Sequence, residues 1–324
     1  MKRLISLLLC ALLIVPALAE DAPDFEPIPW DIKVSPNLPN PDCYLPNNGG
    51  YHDDSIDIQI NVTYWTQDLQ QVDAPGEGTT TVMSARVKLT DVSQFRTGFA
   101  NKYPSKQARH VNDMTKRFKA VMGIDGDYCL YHEQGIVVRN GQTLRMRPHK
   151  GRDELIVDEN GDFHIITCTT QAKWDEYIAG GGTVLHAFCF GPALVVDGVP
   201  LTNLDDVTID NGKAKKAQRM VIGQIGKLEY LILTNEGPES TAPKSVGFDL
   251  VQMANLCVQF GLNNAYNLDG GSSSTIALNN QKINSPSSHK NRMVGDCIWF
   301  ATLVKEETWR EKESVQTVEV EENK

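Results

Sequence analysis

Asn140-Gly141 stands between two short apolar runs, residues 136–139 and 142–146, and forces a tight reversal. Both central positions of such a turn need positive φ, which asparagine and glycine accept most readily, so the flanking runs are held as a hairpin. The signature recurs. Glu159-Asn160-Gly161-Asp162 separates residues 155–157 from 163–166, Gly226-Lys227 separates 220–225 from 228–234, and Asp197-Gly198 follows the run 194–196. A chain punctuated this often folds back on itself antiparallel. Further strands are expected at 56–64, where Ile56, Ile58, Ile60, Val62 and Tyr64 alternate with polar residues, and at 81–89, 120–124 and 275–278. The continuous apolar run 297–304 predicts a central strand buried on both faces. Helical spacing appears at 104–118, through Ala108, Val111, Met114 and Phe118, at 172–178, and at 248–260, where Gly261 suits the C-terminal cap. The predicted fold class is α+β: a mostly antiparallel or mixed twisted sheet built from hairpins, with a few flanking helices.

The ends read differently from the middle. Residues 1–19 carry Lys2 and Arg3, an apolar run and Ala17-Leu18-Ala19, the pattern of a signal peptide cut after Ala19. Residues 20–54, rich in Pro, Asp and Asn, are expected to form an extended lead-in, and 305–324 a charged tail. That leaves 55–304 as the folded domain, with no later membrane span and a secreted, extracytoplasmic location. A formal net charge of -10 argues against nucleic acid as a partner, because phosphates attract surplus Lys and Arg. Cys43, Cys129, Cys168, Cys189, Cys257 and Cys297 remain after the leader, and in an exported chain at least one disulfide is expected. None has the spacing of a metal knuckle, and no histidines show HExxH spacing, so neither a metal nor another cofactor is expected.

Asn267-Leu268-Asp269-Gly270-Gly271-Ser272-Ser273-Ser274-Thr275 concentrates a carboxylate, paired glycines and hydroxyls after an apolar helix pattern. Paired glycines let a ligand approach the main chain, and its N–H groups with the hydroxyls suit an anion or a sugar. The sequence lacks the GxSxG elbow of a serine hydrolase. Asp125 and Asp127, either side of Gly126, share a face if extended. Arg219 and Arg292 each adjoin a strand, and a guanidinium grips phosphate or carboxylate in a two-point fork.

These stretches together resemble the phosphodiester glycosidase family, the N-acetylglucosamine-1-phosphodiester alpha-N-acetylglucosaminidase type. Residues 123–128, Gly-Ile-Asp-Gly-Asp-Tyr, resemble its INGxY/F segment, and Gly135 to Gly141 its GIVIRNG hairpin. Phe190 to Gly198 resembles FGPxLVxDG, Arg219 to Gly223 resembles RTAIG, and Asn267 to Ser273 resembles NLDGGGSS, with Asn284, Pro286 and Arg292 at family-like positions. The resemblance implies a secreted bacterial enzyme that hydrolyses a GlcNAc-type sugar bonded through its anomeric carbon to a phosphodiester. It also implies a carbohydrate-phosphate substrate, with a cell-envelope glycopolymer as one candidate. Asp269 is the expected base or nucleophile, with Asp127 and Asp125 as partners. Arg219 and Arg292 are expected on the phosphate, and Asn267, Gly270, Gly271, Ser272 and Ser273 on the sugar. Two departures stand out: Asp125 replaces the family's Asn, and Ser272 its third Gly. They motivate one alternative, a non-catalytic carbohydrate or cell-envelope binding protein on the same fold; a phosphodiesterase that cleaves P–O is a further alternative.

Overall fold

The hairpin signals become the ladders of three antiparallel sheets in the computed structural model, which describes residues 37–207, 214–238, 244–285 and 291–310. Asn140 and Gly141 take φ of 50° and 76°, and Gly135–Arg139 pairs with Gln142–Arg147. Glu154–Val157 pairs with Phe163–Ile166, and Arg219–Gly226 with Glu229–Asn235. The fold class is α+β, as the residue pattern predicts, with the strands divided among three sheets.

The 10-stranded sheet carries at its centre Ile56–Trp65, Thr80–Leu89, Glu229–Asn235, Arg219–Gly226, Asn264–Leu268 and Ala193–Val196, in that spatial order. A 5-stranded sheet contains the 135–147 and 154–166 hairpins bridged by His186–Phe188. In the other 5-stranded sheet, Asp296–Phe300 lies between Met122–Asp125 and Phe95–Phe99, fully buried, as a continuous apolar run requires. Inward residues from all three sheets, such as Ile58 and Tyr230, Leu155 and Phe188, Ile124 and Phe300, merge into one core. Each sheet is covered on its other face by one helix. Leu250–Gln259 packs Leu250, Met253 and Cys257 on the large sheet, Val111–Phe118 packs Met114 near Trp299, and Gln171–Ala179 packs Trp174 near Ile156. Each such side chain, taken fully out of water, contributes about 1.5–3 kcal/mol. Among the described residues no helix is long and apolar enough to cross a membrane.

Three details differ from the sequence reading. The first helix begins at Val111, not Pro104, because Arg109 bridges to Val294 in both directions (3.0 and 2.8 Å), an isolated antiparallel bridge that holds the preceding segment extended. The lead-in does not stay outside the fold: Gly50–His52 pairs with the strand Ile56–Trp65, and Tyr51 is buried. All six cysteines are free thiols, so the expected disulfide is corrected. Cys257 and Cys297 are buried in the separate cores under two different helices, and Cys168 is exposed. The expected signal peptide, the first part of the lead-in, Pro286 and most of the charged tail lie outside the described residues.

Candidate active site

The strand Asn264–Leu268 delivers Asp269 to an edge where two sheets meet. Its neighbour on one side begins with Arg219, Met220 facing Leu268 across the ladder. On the other side Asp269 donates its backbone N–H to the Gly126 carbonyl (3.2 Å), next to the strand Met122–Asp125. The chain then turns tightly through Gly271–Ser273. Gly271 has φ of 60°, a region that favours glycine, and its N–H donates to the Gln218 carbonyl at 2.8 Å. A cavity of about 330 Å³ opens here, lined by Tyr128, Phe190, Gln218, Arg219, Asn267, Asp269, Gly270, Gly271 and Arg292.

Asp269 is 8% exposed, enough for a ligand to reach it but too little for full hydration. Burial pushes its carboxyl up to about 6, while the Ser273 hydroxyl, Arg292 and the Gly270 N–H pull it back. Arg292 Nη1 donates to Ser273 Oγ at 3.3 Å, so arginine, serine and carboxylate are linked in sequence. Asp269 Oδ2 has no hydrogen-bond partner among the described residues. Asn267 supports the same wall: its Nδ2 donates to the Gly191 carbonyl at 2.8 Å, and Oδ1 is unpartnered among the described residues.

Asp125 and Asp127, expected to share one face, go to different places. Asp125 is fully buried, and its Oδ1 accepts the Thr275 N–H at 2.7 Å. Burial first, and the charge of Asp269 second, push its carboxyl well above the ordinary range. Its Oδ2 is unpartnered among the described residues. Asp127 does not line the cavity. It accepts N–H bonds from Cys129 (3.2 Å) and Cys189 (2.9 Å), and Arg139 Nη2 lies 2.9 Å from it and 3.1 Å from Asp296. Burial opposes its charge, but Arg139 and these N–H groups outweigh burial and hold its carboxyl well below the ordinary range. Asp296, the second acid on that single guanidinium, is pushed up by burial and by Asp127. Gly126 makes this possible, since a Cβ there would sit 2.4 Å from the Asp296 carboxyl. Asp127, Cys129 and Asp296 also place possible metal-ligand atoms within 4.8 Å of one another, but Arg139 already bonds both carboxylates.

The cations divide by exposure. Arg219 is 5% exposed and donates from Nη2 to the Lys215 carbonyl (2.7 Å) and from Nε to the Phe248 carbonyl (3.4 Å). Burial lowers its pKa to about 10, with Asp249 resisting. Arg292 is solvent-exposed at the rim. An adjoining cavity, also about 330 Å³, shares Gln218, Gly270, Gly271 and Arg292 and adds Lys215, Lys216 and Ser272. Ser272 thus faces the basic side, and Ser273 is buried beneath Asp269.

Sequence reasoning did not single out Gln218, Lys215 and Lys216, or Tyr128 as a lining residue. Nor did it find Arg139 and Asp296. A faint signal existed for Asp296, a carboxylate at the head of an otherwise apolar strand, and for Arg139, a cation closing another.

The phosphodiester glycosidase family model matches residues 118–301. The catalytic domain of zebrafish N-acetylglucosamine-1-phosphodiester alpha-N-acetylglucosaminidase, auto-inhibited by its pro-peptide, superposes with a TM-score of 0.60 at 14% identity, covering 78% of this chain and 86% of that one. A hypothetical protein from Synechocystis superposes at 0.50 with 14% identity, over 77% of this chain and 62% of that one. At such identities the likeness is one of fold. No curated protein matches the chain.

Proposed function

The chain belongs to the phosphodiester glycosidase family, and from that premise we propose that it is an exported enzyme hydrolysing a GlcNAc-type sugar linked through its anomeric carbon to a phosphodiester. The observation that carries this reading is the Asp269 carboxylate. It is nearly buried, raised to about 6, and set in one cavity with Arg219 and Arg292. Glycoside hydrolysis ordinarily uses two carboxyl groups, one protonating the leaving oxygen and one activating water or attacking. A phosphodiester leaves with little need of a proton, so cations that hold its charge replace much of the acid's work.

Asp269 serves as base or nucleophile at the anomeric carbon, with Ser273 and Arg292 fixing its orientation. Arg292, with Lys215 and Lys216 in the adjoining cavity, holds the phosphate, and Arg219 supports that wall through the Lys215 carbonyl. The main chain of Gly270 and Gly271, together with Asn267, borders the sugar. Asp125 acts behind Asp269. Burial and the charge of Asp269 push the Asp125 carboxyl well above the ordinary range, toward the neutral state of the amide that the family pattern carries at this position. Asp127 belongs to the charge network under the site, not to the reacting pair.

Incubation of the purified protein with a methyl diester of α-GlcNAc-1-phosphate in isotopically labelled water tests the reading. The label is expected in the released sugar, and Asp269→Asn is expected to lower kcat by about 10²–10⁴-fold. Label in the phosphate would mean P–O cleavage, and near wild-type turnover by Asp269→Asn would remove that residue from the chemistry.

A further inference from the structure

A second cavity of about 560 Å³ lies past Tyr128, and nothing in the site above uses it. Lys106, Arg145 and Arg147 line it, with Tyr103, Tyr131 and Leu144 among the other wall residues. Glu133 is the single acid in its lining, and it is highly exposed, 3.7 Å from an Arg147 that is itself largely exposed, a pair that water screens. Burial lowers the His132 ring to about 4, so it is neutral at physiological pH. The cavity therefore carries surplus positive charge on a chain whose formal net charge is -10.

The two cavities are joined by aromatic rings. Tyr128 lines the Asp269 cavity, Tyr131 lines the second, and their rings stack with centroids 4.5 Å apart at 28°. Tyr128 is 37% exposed and holds φ of 59°. A bulky residue in the left-handed region is a true outlier, and such strain concentrates at ligand sites. The Tyr131 hydroxyl donates to the Lys106 carbonyl at 3.1 Å, which fixes one end of the pair against the basic wall. A flat aromatic surface between two cationic basins fits a ligand whose anionic groups are spaced by sugar or polyol rings.

Building on the function proposed above, we propose that the basic cavity is a second subsite, and that the substrate is an oligomer with at least two phosphodiester-linked units. The scissile unit occupies the Asp269 cavity, the linking ring lies over Tyr128 and Tyr131, and the next phosphate meets Lys106 and Arg147, while Arg145 behind them donates its guanidinium N–H groups to the Gly135, Cys129, His132 and Gln134 carbonyls.

The test compares kcat/KM for a one-phosphate diester of α-GlcNAc and for a synthetic oligomer carrying two phosphodiesters, in wild type and in Lys106→Glu/Arg147→Glu. Both altered side chains are at the surface, and neither belongs to the catalytic site. Wild type is expected to prefer the oligomer by about tenfold, the scale of two exposed cations acting together. The double variant is expected to lose that preference while keeping its rate on the short diester. Equal rates on both substrates in wild type, or a preference that survives charge reversal, would overturn the subsite. If neither substrate is turned over, calorimetric titration decides. Tighter binding of the oligomer that vanishes in the double variant upholds the subsite and removes the glycosidase reading, and equal affinities remove the subsite as well.

Discussion

Asp127 and Asp269 both lie just beyond strand ends, each beside an arginine, yet the fold gives them opposite chemistry. Around Asp127 the arginine is as buried as the acid, and two N–H groups complete the shell. The carboxyl of Asp127 is thereby held well below the ordinary range, and it is Asp296, sharing the same guanidinium, that is pushed up. Around Asp269 the arginine is at the rim and acts through a serine hydroxyl, so desolvation wins and the carboxyl rises to about 6. Environments that push like groups apart are how one fold separates a structural ion from a reacting one.

The largest expected effect breaks the buried side of this comparison. Arg139→Met leaves Asp127 and Asp296 without their cation and should cost about 3–5 kcal/mol in denaturant unfolding. A loss no larger than that of an exposed arginine would show the cluster to be hydrated and the contrast unfounded. Restoring stability with Asp127→Asn/Asp296→Asn in the same background would sharpen it.

The proposed reacting side is read by pH. A base with pKa near 6 must be ionised to act, so kcat/KM should be flat above that value and fall about tenfold per pH unit below it. A flat profile down to pH 4 would mean that Asp269 is not the titrating group. Stability runs the other way for this residue. A raised carboxyl favours the fold when protonated, fully below its unfolded pKa of about 3.9, and that contribution is gone once pH passes about 6. For Asp127 the depressed carboxyl adds stability above the ordinary carboxylate pKa, lost as pH falls below it.

A smaller change is expected from Arg292→Met. Its guanidinium is solvent-exposed, so melting should be almost unaffected, while KM for the phosphodiester rises about tenfold as one phosphate contact goes. The smallest effect belongs to Asp125→Asn. If burial already keeps Asp125 neutral, the amide changes little, and both kcat and the inflection near pH 6 should stay within about threefold and half a unit. A downward move of the inflection by a unit or more would reveal a charged Asp125.

Much of this molecule was legible before folding. The turn dipeptides fixed which runs pair, because positive φ at Asn140 and Gly141 leaves the chain one way to go. Apolar spacing located the helix Leu250–Gln259, and Asp249 with Gln252 closes its capping box. The grouping of Asp269 with its own glycines and serines was legible as motif, since adjacent residues stay together. What escaped was partnership at a distance. Asp127 meets Asp296 through an arginine 12 residues from one and 157 from the other. The six thiols could be counted, but not placed: Cys129 and Cys189 share one cluster, Cys257 and Cys297 lie in two others, and Cys168 is exposed.

Local rules therefore determined the elements: φ preference, the period of apolar residues, and caps all act within a few positions. The tertiary structure alone decided which carboxyl is pulled down, which is pushed well up and which borders the cavity. Desolvation and Coulomb terms depend on everything within several ångströms in space, and for Asp125, Asp127 and Asp269 most of that surrounding comes from elsewhere in the chain.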